Sequence, residues 1–388
     1  MHAATDVFDL LRNGRAWTRA ELAQTTGLAR STVAARIEEL MRLGLVTPVG
    51  GGTSTGGRPP SLFSLNPRAR VVAGVDVGAT HVVVGLADLS GEVLDRVSAP
   101  LDVAEGPEVV LSWVCRNIQL LLDRQESPQQ LAAIGIGLPG PVQHSTGRPI
   151  NPPIMPGWDR YDVPGRVQQE HPVPVLIDND VNIMALGERR AVFPDVHDLV
   201  FVKVATGIGA GLISGGELQR GAQGTAGDLG HVRVPRADGV LCRCGNTGCL
   251  EAVAAGPALA AALSESGTPA STPQDVVDLV RAGDVAAIQV VRQAGRDLGD
   301  VLATLVNLTN PAVVVIGGRM AGAGEHLLAG IREVVYRRSM PLATEHLRIV
   351  PSSVGGNAAL DGALAMAVDH VLSPAEIESA VRRLAGGA

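Results

Sequence analysis

Apolar residues recur at helical spacing through the first ~45 residues of the chain. This spacing predicts three short helices, with apolar clusters at residues 7–11, 22–23 and 33–41. Thr18 followed three residues later by Glu21 is a capping box at the start of the second helix. Gly27 supplies the turn before the third helix. The pattern therefore predicts a small helical head.

The hydrophobic pattern changes from Val71 onward, where short apolar runs alternate with helical stretches. Such alternation predicts layered α/β domains. The predicted strands are 71–75, 82–87, 132–136, 173–177, 200–204 and 312–316. Each ends in a Gly- or Asp-rich turn, which is where ligand sites form in α/β proteins. From about Pro374 the chain predicts an amphipathic C-terminal helix.

The chain has 388 residues, enough for two or three domains, and its net charge of −7 is unevenly distributed. Residues 1–70 hold nine Arg and five acidic residues and sum to +4, which leaves −11 for the rest. This asymmetry argues against nucleic acid coating the whole surface and assigns any phosphate contact to the head. No signal peptide or membrane span is predicted, so we expect a cytoplasmic protein without a membrane partner.

Two short strands, 45–49 and 61–65, follow the helices and surround a Gly- and Pro-rich tip, which predicts a wing. A winged helix-turn-helix lays its second helix in the major groove of DNA. The candidate DNA contacts are Arg30, Ser31, Thr32 and Arg36 on that helix and Arg58 in the wing, for the minor groove. The alternative interpretation is a head that only docks another protein.

Three glycine-containing turns follow predicted strands and are candidates for binding a nucleotide. Their residues are Asp76, Gly78 and Thr80, then Thr206, Gly207 and Gly209, then Gly317 and Gly318. Glycines let backbone amides approach a phosphate, and Asp76 can hold Mg²⁺. ATP with Mg²⁺ is therefore one interpretation, and ordinary strand-to-helix turns are the other. The only lysine is Lys203, and no P-loop motif is present.

The segment 178–182, Asp-Asn-Asp-Val-Asn, places two carboxylates and two amides at a strand end. A sugar kinase needs a carboxylate beside the attacking hydroxyl, so Asp180 is the candidate base and Asn179 a candidate sugar ligand. The alternative is a helix cap, because Asp and Asn are also preferred at helix N-termini.

Three of the four cysteines, Cys242, Cys244 and Cys249, lie within eight residues, and His231 lies shortly upstream. These four side chains match a tetrahedral Cys₃His site for structural Zn²⁺. Three incidental thiols in a loop are the alternative. Cys115 lies in an apolar helical stretch and is expected to be a core thiol.

The chain resembles the ROK family of repressors, open reading frames and sugar kinases, in its branch with an N-terminal winged helix-turn-helix. The resemblance extends from the head to the last helix and rests on 27–33, 56–60, 76–80, 135–142, 178–182, 206–211, 230–231 and 242–251. It implies an α/β body of two RNase H-like lobes, as in actin and hexokinase, and a homodimer or homotetramer. It also implies that Asn179, His231 and Glu251 contact sugar hydroxyls, that Asp180 is the base, and that His231 joins the cysteines around zinc.

Two positions depart from the kinases of this family. Asp228 stands where the kinases have Glu, and Ile154 stands where they have Asn before a Pro-Gly-Trp turn. Both departures fall on the sugar side of the cleft implied by the resemblance. Asp228 is one methylene shorter, so its sugar contact would be lost or bridged by water.

From these features we expect residues 1–68 to form the DNA-binding domain and 69–182 the first lobe. Residues 183–372 would form the second lobe with the zinc site and the oligomer surface, and 373–388 would pack back on the first. The favoured hypothesis is a regulator, usually a repressor, that binds operator DNA and responds to a sugar or sugar phosphate. The alternative is an ATP-dependent hexose kinase, and we predict weak or absent kinase activity.

Overall fold

Three helices and a small sheet build the N-terminal head. The computed structural model of the chain describes residues 3–12, 14–51, 61–126 and 130–386. The head elements are α1 (Ala3–Leu11), β1 (Trp17–Thr18), α2 (Arg19–Thr26), α3 (Arg30–Arg42), β2 (Val46–Gly51) and β3 (Ser61–Leu65). Strand β3 lies between β1 and β2 and pairs antiparallel with both.

The local signals of the head are confirmed. The Glu21 backbone NH donates to Thr18 Oγ1 at 3.1 Å, and the Thr18 NH donates to Glu21 Oε2 at 2.8 Å, which completes the capping box. Gly27 has a φ of 71°, a left-handed conformation that glycine adopts without a steric penalty, and it ends α2. The strands of the wing pair as predicted, whereas its tip, with Arg58, lies outside the described residues.

The first lobe contains a five-stranded sheet. Its elements are β4 (Val71–Val77), β5 (Val82–Asp88), β6 (Val93–Ala99), α4 (Pro107–Asp123), β7 (Leu131–Leu138), β8 (Val142–Gln143), β9 (Arg148–Pro149), α5 (Val163–Gln168) and β10 (Val175–Asn179). The strand order is β10-β7-β4-β5-β6. Strands β10, β7 and β4 are parallel, so β10 and β7 end at one edge of the sheet with their polar turns together.

The second lobe contains another five-stranded sheet, in the order β13-β12-β11-β14-β15. Its elements are α6 (Asp180–Val192), β11 (Leu199–Val204), β12 (Ile208–Ser214), β13 (Glu217–Gln219), α7 (Glu251–Ala254), α8 (Gly256–Glu265), α9 (Pro273–Arg281), α10 (Val285–Thr309), β14 (Val313–Gly317), α11 (Glu325–Arg338), α12 (Pro341–Thr344) and β15 (Arg348–Pro351). The mixed α/β architecture expected from the sequence is confirmed.

Two further helices complete the chain: α13 (Ala358–Val371) and α14 (Pro374–Gly386). The sequence assigned α13 to the second lobe, but it lies on β4 and β7 of the first sheet and also packs against α6. The reason is close helix packing at glycines, which periodicity does not reveal. A Cβ at Gly362 would lie 1.7 Å from the Ile183 carbonyl oxygen, and one at Gly187 would lie 2.1 Å from the Ala358 oxygen.

One apolar cluster runs from the head into the first lobe. Phe8 and Leu11 of the head share it with Val72, Leu364 and, in α14, Ile377. Arg12 at the end of α1 also donates to Asp369 of α13 at 2.8 Å. The head is thus packed on the body. Within the described parts of the chain, no helix combines the length and apolar character needed to cross a membrane.

Candidate functional site

A cavity of about 220 Å³ lies between the two lobes. The first lobe contributes Pro139–Pro141, and the segment that joins β10 to α6 contributes Asn179–Asn182. The second lobe contributes Lys203, Thr206–Ala210, Gly224–Asp228, His231 and Glu251. Backbone amides, carboxylates and an ammonium therefore surround a partly apolar space, which is the composition of a site for a small polar ligand.

The helix-cap interpretation of the Asp178–Asn182 segment is confirmed for Asn179, and its role as a sugar ligand stays a prediction. Its Oδ1 accepts from the Val181 NH at 2.9 Å, so Asn179 is the N-cap of α6. Its Nδ2 donates to the Gly140 carbonyl at 2.9 Å, and the residue still lines the cavity. Asp180, the first residue of α6, is buried and pairs with the Lys203 ammonium.

Asp178 holds the Asp178–Asn182 segment in place through hydrogen bonds. Its carboxylate is buried and accepts from the Asn179 NH at 2.8 Å and from Asn182 Nδ2 at 2.7 Å. Arg220, which comes from the second lobe, donates through Nε at 2.6 Å. The ion pair therefore joins the two lobes beside the cavity. The pairing of Arg220 with Asp178 and of Lys203 with Asp180 was not predicted from the sequence, because no local pattern joins residues about 40 and 20 positions apart.

The residues that the family resemblance assigns to the sugar line the same cavity. Glu251 Oε2 accepts from the Ile208 NH at 2.9 Å, which orients the carboxylate. Asp228 Oδ1 lies 4.0 Å from His231 Nε2. Ile154 also lines the cavity, so its apolar side chain stands where the kinases have an amide. The geometry brings these groups together, and their roles as sugar ligands stay predictions.

In the first candidate nucleotide turn, after β4, the His81 side chain lies against Asp76 and Gly78. The Asp76 carboxylate is buried, and its Oδ2 lies 3.3 Å from His81 Nε2. The hydrogen bond to Asp76 raises the pKa of His81 above its ordinary value, and burial opposes this. A Cβ at Gly78 would lie 2.1 Å from the His81 ring, which explains the glycine. Thr80 is exposed at the end of this turn.

The second and third nucleotide turns differ from the expectation. The segment 206–211 is not one turn, since β12 begins at Ile208. Gly209 lies inside that strand, where a Cβ would be 3.2 Å from Val181 Cγ2, so its glycine serves the packing of α6. Gly317 ends β14, and Gly318, at φ 80°, lies against the Val204 backbone. Of the predicted nucleotide residues, only Thr206, Gly207 and Gly209 line the cavity described above.

The four candidate metal ligands converge. The ligand atoms of His231, Cys242, Cys244 and Cys249 all lie within 4.8 Å of one another. Cys244 Sγ lies 3.7 Å from Cys249 Sγ, and Cys242 Sγ lies 3.7 Å from His231 Nδ1. Tetrahedral zinc with bonds of about 2.3 Å to sulfur separates its ligand atoms by about 3.6–3.8 Å, so this donor set fits such an ion. With Nδ1 turned to the cysteines, His231 Nε2 faces Asp228.

Burial raises the pKa of two of the three clustered thiols, Cys242 and Cys249, in the absence of a cation. It raises the pKa of Cys249 to about 12, which a bound cation would reverse because the thiolate is the form that binds metal. Cys115 is different: it is buried in α4, where burial raises its pKa to about 11, and it is a core thiol as expected.

The candidate DNA face is the N-terminal part of α3. Val33, Ile37 and Leu40 are buried, while Arg30 and Ser31 are exposed and Thr32 is half-buried. Arg36 donates to Glu39 at 2.8 Å. This arrangement presents two cations and two hydroxyls, and a DNA phosphate would compete with Glu39 for Arg36.

A helix-turn-helix head on a two-lobed α/β body with an interlobe cleft defines a DNA-binding regulator built on a sugar-kinase fold. The ROK family profile matches residues 72–370, and an IclR helix-turn-helix domain profile matches residues 4–50. The chain belongs to the ROK family.

Relatives of the chain include both regulators and kinases. The xylose repressor of Bacillus spizizenii is 31% identical over 92% of each chain. The crystal structure of a ROK family transcriptional regulator, a homologue of the E. coli MLC protein, has a TM-score of 0.84 and 25% identity over 98% of each chain. The Streptomyces griseus ROK glucokinase, solved with glucose and AMPPNP, is 28% identical with a TM-score of 0.65 and covers 76% of this chain and 99% of its own.

Proposed function

We propose that this protein is a sugar-responsive transcription repressor that binds DNA through its head and a sugar in its interlobe cleft. The observation that carries the proposal is the extent of the similarity. The xylose repressor matches over 92% of each chain, whereas the glucokinase matches only 76% of this one. The head is the part that distinguishes a regulator from a kinase, and it matches a DNA-binding profile.

In this proposal α3 is the recognition helix. Arg30, Ser31 and Thr32 contact base edges and phosphates at its N-terminus, and Arg36 exchanges Glu39 for a phosphate. Arg58, which lies outside the described residues, keeps its sequence-based prediction as the minor-groove contact. Because a pseudo-palindromic operator needs two heads, the working unit is a homodimer or a homotetramer. The protein acts in the cytoplasm, where it reaches its operator.

The effector is a neutral sugar or a sugar phosphate bound by Asn179, Asp180, Asp228, His231 and Glu251. These groups come from both sides of the cleft, so a sugar that contacts all of them favours one lobe arrangement over another. Because the head shares its apolar cluster with the first lobe, a change in lobe angle moves the head. Coupling between sugar and operator follows when the two arrangements differ in affinity for both.

The metal is Zn²⁺, held by His231, Cys242, Cys244 and Cys249 in a structural role. It orients the His231 ring so that Nε2 faces the sugar. We expect about one zinc per chain by plasma mass spectrometry. We expect less than half of that in Cys249→Ser, while Cys115→Ser retains it. Equal zinc in both variants would refute this ligand set.

The test of repressor function starts from selection of binding sequences out of a random DNA pool with purified protein. Fluorescence anisotropy then compares a selected duplex with a shuffled one, with and without D-xylose, D-glucose or N-acetyl-D-glucosamine. We expect selective binding that one sugar shifts. Arg30→Ala should weaken selective binding by about 1–3 kcal/mol, and Arg116→Ala, an exposed arginine of α4, should not. Equal affinity for both duplexes would contradict the proposal.

The second candidate function is an ATP-dependent hexose kinase, supported by the similarity to a glucokinase solved with glucose and AMPPNP. Asp180 would be its base, with Mg²⁺ and ATP bound at the glycine turns. We favour weak or absent turnover because Asp180 is paired with Lys203. The check is sugar-dependent ADP formation over a panel of hexoses, pentoses and N-acetylhexosamines. Clear turnover that Asp180→Asn abolishes would establish the kinase.

A further inference from the structure

The only lysine of the chain lies on the floor of the cleft. Lys203 is on β11 and shares a sheet face with Leu199 and Phe201, whose apolar cluster includes residues of α6. A cation on this otherwise apolar face needs a specific partner, because burial without one is unfavourable.

The neighbouring strands leave room for this side chain. Lys203 is paired with Gly209 on β12 and with Gly317 on β14, so neither residue beside it carries a Cβ. Side chains directly opposite on paired strands normally contact one another. Here the positions opposite carry no side chain, the Phe201 ring and Val181 lie above the two glycines, and the lysine extends towards Asp180 at the start of α6.

The Lys203 ammonium pairs directly with one carboxylate. Lys203 Nζ pairs with Asp180 Oδ2, and the Asp180 side chain is only 7% exposed. Burial lowers the pKa of Lys203, but attraction to Asp180 and also to Asp76 outweighs burial and leaves the pKa raised. The lysine ammonium therefore contacts the candidate base, Asp180, while the candidate magnesium ligand Asp76 attracts it without forming an ion pair.

We propose that Lys203 takes the place of a magnesium ion in this cleft, so that the sugar binds without metal or nucleotide. In phosphoryl transfer a divalent cation supplies the positive charge between protein carboxylates and phosphate oxygens. Here a covalently attached ammonium supplies the positive charge at Asp180. It holds the Asp180 carboxylate in place as a hydrogen-bond acceptor for a sugar hydroxyl. Lys203 is thus a positioning residue, and this inference rests on the proposed sugar sensor.

The first experiment measures sugar affinity by calorimetry in magnesium-free buffer, with D-xylose, D-glucose and N-acetyl-D-glucosamine as probes. The wild-type protein should bind one of them with an affinity that changes less than about twofold when magnesium and ATP are added. Lys203→Met keeps the length of the side chain and removes the charge, and it should bind about tenfold more weakly or worse, because Asp180 loses its counter-charge. Lys203→Arg should recover most of the affinity.

The second experiment uses magnesium chloride alone and measures thermal unfolding. The wild-type protein should be insensitive to it. Lys203→Met should be stabilised, because the Asp180 carboxylate is then free to bind a divalent cation, and the further change Asp180→Asn should remove that effect. Arg236→Met is the matched control. It removes the cation paired with the buried Asp297 outside the cleft. In this variant magnesium should change neither the sugar affinity nor the thermal unfolding.

Two results would overturn the proposal: wild-type binding of sugar only in the presence of magnesium and ATP, or full sugar affinity in Lys203→Met without magnesium. Lys203→Gln replaces Lys203→Met if the latter does not fold. Sequence-selective DNA binding in the absence of sugar is measured on the same preparations. If DNA binding is retained together with either of these two results, the role of Lys203 is refuted and the repressor function stands. If the protein binds no sugar under any condition, both the sugar-sensor function and the role of Lys203 are refuted.

Discussion

At the scale of single residues, His81 reports on the first glycine turn. Its pKa is raised by the hydrogen bond to Asp76, against burial and the charges of Lys203 and Arg319. A histidine whose pKa is higher in the folded state stabilises that state fully below its ordinary value of 6.5, and the stabilisation is lost as pH rises through the raised pKa.

We therefore expect His81→Asn to lower the free energy of unfolding more at a pH below 6.5 than at a pH well above it. Urea unfolding at both pH values measures the difference. The control is His346→Asn, at an exposed histidine of the second lobe. A loss of stability that is the same at both pH values would show that the Asp76 hydrogen bond does not depend on the charge of His81.

Thr18 is the second residue whose contribution to stability can be measured by a single substitution, because its hydroxyl caps α2 directly. Thr18→Ala should destabilise α2 by about 1 kcal/mol, seen as faster amide hydrogen exchange in that helix. Thr25→Ala changes the same residue type at an exposed position of α2 and should leave the exchange nearly unchanged. Equal exchange in the two variants would mean that tertiary packing, not the cap, holds the helix.

At the scale of elements, the crossing of α6 and α13 connects the two sheets. Helix α13 covers the first sheet, α6 covers the second, and glycines let the two helices touch backbone to backbone. Because α6 begins at the cleft residues Asn179 and Asp180, this crossing lies directly behind the site.

Gly362→Ala should lower stability by about 1–3 kcal/mol, because its Cβ would overlap the Ile183 carbonyl of α6. Thermal unfolding gives the measurement. Gly356→Ala is the matched control, since a Cβ there meets nothing within 4 Å and its φ is not positive. An equally small loss in both variants would mean that the helices separate easily at this crossing.

At the scale of the whole molecule, the head and the first lobe share one apolar cluster to which α14 contributes Ile377. Surface ion pairs such as Arg12 with Asp369 contribute little to stability, so the shared apolar surface holds the head. The head should therefore not unfold independently of α13 and α14.

Ile377→Ala should expose amides of α1 to hydrogen exchange as well as those of α14, with a loss of about 2–5 kcal/mol. Leu384→Ala on the same helix removes a side chain that is 44% exposed and should have a small effect confined to α14. Faster exchange in α14 with unchanged exchange in α1 would contradict the shared core.

Much of the fold could be predicted because its signals are local. Helix spacing, the Thr18 capping box, the φ-positive Gly27 and the buried strands of both sheets depend on neighbours within a few residues. The strand β12 was missed because its glycines read as a turn, although they make room for α6. The metal residues and the segment 178–182 were selected from local clusters, whereas Asp228 and Glu251 came from the family resemblance, and the roles of all of them remain predictions.

Sequence alone was enough for most of the elements, for the family and for the chemical types at the site, since periodicity and short motifs carry that information. Three features required the folded molecule: the place of α13 on the first sheet, the Arg220–Asp178 pair between lobes, and the contact of Lys203 with Asp180. Each of these features joins groups that are distant along the chain. Long-range packing brings them together, and no periodic pattern in the sequence indicates such contacts.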